Sequence, residues 1–114
     1  MRGSVTALMA DIDHFKSIND AHGHFVWDQV ICSVAHTLKS AIRASDLVAR
    51  FWGEEFVVIL PNIPPKDANT LAQRLRRKVS EITTDTTPIA ITISIGISRF
   101  DTAELFESGL EHYD

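Results

Sequence analysis

The stretch Asp46-Leu47-Val48-Ala49-Arg50-Phe51-Trp52-Gly53-Glu54-Glu55-Phe56-Val57-Val58-Ile59-Leu60 decides the fold. It reads as two strands, Asp46 to Phe51 and Glu54 to Leu60, joined at Trp52-Gly53. Two residues with a glycine between two strands are a hairpin signal, although tryptophan is an unusual turn partner. The run Phe56-Val57-Val58-Ile59-Leu60 is too apolar for a strand with one wet face, which places it inside a sheet.

Working outward, each strand of the hairpin is flanked by a helical pattern. Upstream, Val30, Ile31, Val34, Ala35, Leu38, Ala41 and Ile42 recur at helical spacing, so a helix is expected over 28–42. Asp28 is expected at its N-terminus, where a carboxylate meets the positive end of the dipole. Downstream, Pro61, Pro64 and Pro65 break the chain. Ala68, Leu71, Ala72, Leu75, Val79 and Ile82 then mark a helix over 66–82. The outermost elements are strands: an apolar run Val5–Ala10 that ends in Asp11-Ile12-Asp13, and Ile89, Ile91, Ile93, Ile95 and Ile97 in strict alternation. Residues 14–24 read as a short helix or turn, and 83–88 as a polar loop.

The order strand, helix, strand, strand, helix, strand predicts an α+β fold. A mainly antiparallel central sheet is flanked by helices on one face, in the split-βαβ, ferredoxin-like arrangement. One domain is expected over 5–114, with Met1–Ser4 set aside as an expression leader.

Composition narrows the function. The chain has 114 residues and a net charge of −4, with 45% apolar and 23% charged residues. That balance gives no basic face for DNA or RNA. No apolar run approaches the ~20 residues of a membrane span. The single Cys32 excludes an intrachain disulfide and fits a cytoplasmic setting.

Carboxylates gather where chemistry could sit. Asp11 and Asp13 end the first strand, and Glu54 and Glu55 lie at the hairpin. If these strands are neighbours, three or four carboxylates converge at one sheet end. Such an oxygen-rich cluster suits Mg²⁺ or Mn²⁺, cations that neutralise phosphates. The same residues also suit a solvated sheet end. His14, His22 and His24 lie close in sequence, but no further Cys or His pair completes a zinc set, and a solvated role fits them better. Lys16 could meet a phosphate or pair with an acid. Arg43 and Asp46, three apart, could read a guanine edge, or form a surface ion pair worth at most about 1 kcal/mol.

Read together, these segments resemble the GGDEF domain of bacterial diguanylate cyclases. Asp11-Ile12-Asp13-His14-Phe15-Lys16-Ser17-Ile18-Asn19-Asp20-Ala21-His22-Gly23-His24 is similar to the family's metal and guanine segment. Arg50-Phe51-Trp52-Gly53-Glu54-Glu55-Phe56 is similar to the signature hairpin, and Ser94-Ile95-Gly96-Ile97 to its late strand. The resemblance covers roughly residues 5–100 and implies a nucleotidyl-cyclase palm. It implies a homodimer in which two GTP molecules condense to cyclic di-GMP, with an upstream sensory domain in the whole protein. By that resemblance Asp11, the Ile12 carbonyl and Glu54 hold Mg²⁺ or Mn²⁺. Glu54 and Glu55 are catalytic. Asn19 and Asp28 read guanine, and Lys16 meets phosphate. Arg43 and Asp46 fall at the family's inhibitory RxxD site for product.

The sequence also departs from the family. Trp52 stands at the first signature glycine, and Trp27 at a glycine before Asp28. The family's helix before the first strand and its late basic residues are not matched within this stretch, which a shortened chain explains equally well; the two tryptophans are not explained that way. Indoles fill space that glycines leave to a ligand. The expectation is therefore a degenerate domain that binds cyclic di-GMP at Arg43 and Asp46, with weak or no cyclase activity. The alternatives are an active cyclase and a protein-interaction module that binds no nucleotide. If position 52 needs a positive φ, tryptophan there would cost about 1–2 kcal/mol.

Overall fold

In a computed structural model the described residues are 3–84 and 88–101. Their elements are β1 (Ser4–Ile12), α1 (Phe15–Ser40), β2 (Leu47–Trp52), β3 (Glu55–Pro61), α2 (Pro65–Ser80) and β4 (Ile93–Asp101). The four strands form one sheet in the order β2-β3-β1-β4, with every neighbouring pair antiparallel. β3 lies between β1 and β2, so the first crossover straddles a strand, as the split-βαβ reading requires. The strongly apolar β3 is internal, as its composition demands.

One face of the sheet carries the core. Thr6, Leu8, Ala10 and Ile12 of β1 and Phe56, Val58 and Leu60 of β3 are all buried there. Against them pack Ile18, Trp27, Val30, Ile31, Val34 and Leu38 of α1, and Ala68, Ala72, Leu75 and Val79 of α2. The opposite face follows from register. It sets Ala49, Val57, Met9 and Gly96 in one row and Leu47, Ile59, Ala7 and Ser98 in the next.

Three elements differ in their bounds from expectation. The short helix read over 14–24 and the helix read over 28–42 join as α1, Phe15–Ser40, because the chain kinks at Gly23 (φ 83°, ψ 173°) and resumes as helix at once. Asp28 is therefore an exposed residue inside α1, not its N-terminal residue. Helix α2 spans Pro65–Ser80, with a proline suited to the first turn. Strand β4 begins at Ile93, not at Ile89, because β1 ends opposite it: Ile12 pairs with Ile93 and Ser4 with Asp101. The alternating isoleucines before Ile93 have no partner strand to extend the ladder.

The hairpin differs too. Trp52 belongs to β2 and pairs with Glu55 across a register shift between Arg50 and Trp52. The turn is Gly53-Glu54, and Gly53 alone takes the left-handed conformation (φ 46°). Trp52 has no positive φ, so the backbone cost considered for it does not arise. Strand β1 begins at Ser4, one residue before the domain start expected from sequence. Residues 85–87 of the expected polar loop, and 102–114, lie outside the described residues. No described helix is long and apolar enough to cross a membrane.

Candidate functional site

The C-terminal end of β1 is stitched on both sides. The Ile12 N–H donates to the Glu54 carbonyl at 3.0 Å, and the Asp13 N–H to the Thr92 carbonyl at 2.9 Å. Asp11 lies opposite Glu55 on one side and Ser94 on the other. The sheet thus brings Asp11 to the signature hairpin. Partial burial pushes the Asp11 carboxyl above the ordinary carboxylate range, and the negative charges of Glu54 and Asp13 push it further.

Asp13 behaves in the opposite way. Its two oxygens accept from the Ser94 hydroxyl at 2.6 Å and the Thr92 hydroxyl at 2.7 Å. The Ser94 bond first, and the Thr92 bond next, hold its carboxyl below the ordinary range. This corrects the expected convergence. Among the described residues no three His, Cys, Asp or Glu side chains form a metal-holding group. The carboxylates share one sheet end, but Asp13 is engaged by β4 and its flank.

What remains is Asp11 and Glu54, with the Ile12 carbonyl between β1 and the turn. The set fits Mg²⁺, which takes one or two carboxylates and fills its octahedron with water and phosphate oxygens. A cation there would offset the Glu54 and Asp13 charges that add to the effect of burial on Asp11.

Helix α1 carries the next candidates. Lys16 is exposed in its first turn, and Asn19 lies half-buried one turn further on. The Asn19 Oδ1 is buried with no protein partner, an acceptor left for a ligand or water. Asp28 is exposed, beyond the break at Gly23. Trp27 sits between these two polar residues in sequence. It is 8% exposed, and its ring centroid lies 5.8 Å from that of Phe15. Trp52 is the reverse: it is 76% exposed, beside an exposed Phe51. The expectation that both indoles fill space therefore divides. Trp27 is packed, and Trp52 stands in solvent at the hairpin.

Arg43 and Asp46 lie in the loop between α1 and β2. The Arg43 Nε donates to both Asp46 oxygens at 3.0 Å, and Nη2 donates to Oδ1 at 2.7 Å. The Arg43 backbone N–H adds a bond to Oδ2 at 2.8 Å. The Asp46 side chain is fully covered, while that of Arg43 is 46% exposed. Burial pushes the Asp46 carboxyl up, but the Arg43 hydrogen bonds and charge outweigh it and hold the carboxyl below the ordinary range. Nη2 also reaches the Pro61 carbonyl at 2.9 Å. The fork thus sits at the opposite end of β3 from Asp11, about 20 Å away at ~3.3 Å per residue. The sheet separates the two candidate sites instead of joining them.

The Thr92 and Ser94 hydroxyls are the contacts that sequence reasoning missed. Their signal was present as the polar half of the isoleucine alternation.

An antiparallel sheet in this order, with carboxylates at the β1 end and a β2–β3 hairpin beside them, defines a cyclase-type palm. The chain matches the diguanylate cyclase, GGDEF domain family over residues 2–114. It belongs to that family. It is 44% identical over 100 residues to diguanylate cyclase A of Treponema denticola, covering 86% of this chain and 27% of that protein. It is 45% identical over 98 residues to response regulator PleD of Caulobacter vibrioides, covering 82% and 22%. Among solved structures it is similar to the GGDEF domain of DgcB from Caulobacter crescentus in complex with c-di-GMP. There the TM-score is 0.79 and the identity 33%, over 86% of this chain and 60% of that one. It is also similar to the active GGEEF domain of a diguanylate cyclase from Vibrio cholerae, with a TM-score of 0.79 and 32% identity over 85% and 62%. The chain spans about a quarter of the length of the curated relatives it matches.

Proposed function

We propose that this domain is a cyclic di-GMP receptor or feedback module with weak or no cyclase activity. The dinucleotide binds at Arg43 and Asp46. The observation that carries the reading is the packing of Trp27, whose indole is buried against Phe15. It occupies a position that is glycine in the family pattern, between the two residues expected to read guanine. A large buried ring there leaves less room for a purine. The Arg43 fork, by contrast, keeps a planar guanidinium partly open to solvent, which suits a guanine edge.

Calorimetry with cyclic di-GMP tests the reading. Binding that weakens at least tenfold in Arg43→Lys supports it, because an ammonium cannot reproduce the fork. No heat at 100 μM ligand, or binding indifferent to that change, rejects it.

A second reading is an active cyclase acting as a homodimer, with GTP and Mg²⁺ or Mn²⁺. The pairing of Asp11 with the hairpin and the unpartnered Asn19 Oδ1 favour it. In that case Lys16 binds phosphate, Asn19 and Asp28 orient guanine, and Glu54 and Glu55 serve the metal and the attacking hydroxyl. The metal would neutralise phosphate charge. Product formation from GTP that disappears in Glu55→Gln would establish this reading. If neither nucleotide raises the melting temperature, the domain is an interaction module. In the whole protein an upstream sensory domain and a cytoplasmic location fit either nucleotide reading.

A further inference from the structure

We infer that Asp13 is a positioning residue for the Asp11–Glu54 cation site and not one of its ligands. Through the Thr92 and Ser94 hydroxyls it locks the β1–α1 turn onto β4. The inference rests on reading Asp11, Glu54 and the Ile12 carbonyl as a divalent-cation site, as the second reading above requires.

The geometry is specific. Both Asp13 oxygens are taken, by Ser94 Oγ at 2.6 Å and Thr92 Oγ1 at 2.7 Å. The Asp13 N–H is taken by the Thr92 carbonyl at 2.9 Å. Three bonds therefore join one residue to β4 and the residue before it. The next residue, His14, is left-handed (φ 59°, ψ 30°) and gives α1 no side-chain cap. That conformation is uncommon outside glycine, and fixed surroundings favour it. The Asp13 bonds supply that fixing from the strand side. Ile12 and Asp11 lie directly upstream, and Ile12 is also held by Glu54. The direction of the Ile12 carbonyl and of the Asp11 carboxylate therefore depends on where Asp13 is anchored. Outer partners of this kind orient the ligands of a metal, and their loss typically costs about 10–100-fold in metal affinity.

A ligand and an anchor respond differently to substitution. Asparagine can keep both bonds: its oxygen accepts from one hydroxyl, and its amide donates to the oxygen of the other. It cannot replace an anionic metal ligand. Removing the hydroxyls leaves the Asp13 carboxylate intact but unanchored. The experiment titrates Mn²⁺ into the wild-type domain, Asp13→Asn, the double variant Thr92→Val with Ser94→Ala, and Asp11→Asn. Bound metal is read by electron paramagnetic resonance, and each melting temperature is recorded in EDTA. The expected result is that Asp13→Asn stays within about threefold of wild type while the double variant binds at least about tenfold more weakly. Loss in Asp13→Asn equal to that in Asp11→Asn makes Asp13 a ligand and overturns the inference. Unchanged or tighter binding in the double variant, with its fold intact in EDTA, also overturns it. Wild-type protein that binds no Mn²⁺, or binds it independently of Asp11, overturns the cation-site reading itself, which separates the two failures.

Discussion

The Arg43 guanidinium donates to the Pro61 carbonyl at 2.9 Å, so the loop that leaves α1 is tied to the last residue of β3. The same side chain is forked onto Asp46, at the entry to β2. The proposed ligand-binding arginine is therefore also a staple between neighbouring strands.

Arg43→Ala should lower the melting temperature without any nucleotide present. It strips the Pro61 carbonyl of a donor and leaves the covered Asp46 carboxylate with the backbone N–H of residue 43 in place of the guanidinium fork. A partly exposed fork is worth about 1 kcal/mol, which corresponds to roughly 4–8 °C in a domain of this size. Differential scanning calorimetry reads the change. A shift under 1 °C would mean that the staple contributes nothing to folding.

Asp11→Asn should act in the other direction. Its carboxyl is raised by burial and by the charges of Glu54 and Asp13, so ionised Asp11 opposes folding. The folded state holds its proton to higher pH than the unfolded state. Stability therefore falls as pH rises from 3.8 through the folded value. At neutral pH the variant should melt slightly higher, by an amount that solvent screening of this exposed carboxyl keeps small, the usual exchange of function for stability. Mg²⁺ at millimolar concentration should raise the wild-type melting point and leave the variant unmoved. A wild-type curve indifferent to Mg²⁺ would count against cation binding.

Asp13 and Asp46 have the opposite sign. Both carboxyls are held below the ordinary value of 3.8. Their contribution is complete above that pH and is lost as pH falls through the folded values. The urea midpoint should therefore drop below pH 4. In Asp46→Asn the midpoint should be lower at pH 7 and its acid decline shallower. Equal slopes for the two proteins between pH 4 and pH 2 would contradict the assignment.

Much of this architecture could be read in the chain. The continuous apolar runs of β1 and β3 and the helical stripes of α1 and α2 are written in the sequence itself, so element order and the inner place of β3 followed. Boundaries set by partners did not. The isoleucine pattern runs unbroken from Ile89, yet the strand begins at Ile93 because β1 ends at Ile12. Gly23 signalled a break, but a break that resumes as helix looks in sequence like a stop. The role of Asp13 was hidden for the same reason. Thr92 and Ser94 are some eighty positions away and meet it only through the β1–β4 register. Arg43 and Asp46 were legible as a pair because their partnership is local, but the bond to Pro61 was not.

The two tryptophans give the sharpest test, because the fold treats them differently. Trp27 belongs to the core and touches Phe15. Replacing it with glycine opens a void and adds backbone freedom inside α1. Truncating a buried Trp costs about 3–5 kcal/mol and an interior helical glycine ~1 more. Trp27→Gly should therefore melt more than about 10 °C lower, whatever it does to the pocket. Trp52 is 76% exposed, has no positive φ and flanks the glycine that makes the turn. Trp52→Gly should cost about 1 kcal/mol or less, the backbone freedom of a glycine at a strand end, which makes it the cleaner probe. If GTP binding, followed by thermal shift with Mg²⁺, appears only in Trp52→Gly, the hairpin indole is the obstruction despite its exposure. If that variant stays silent while cyclic di-GMP still binds wild type, the obstruction lies with Trp27, whose ring the core has adopted and cannot release without unfolding.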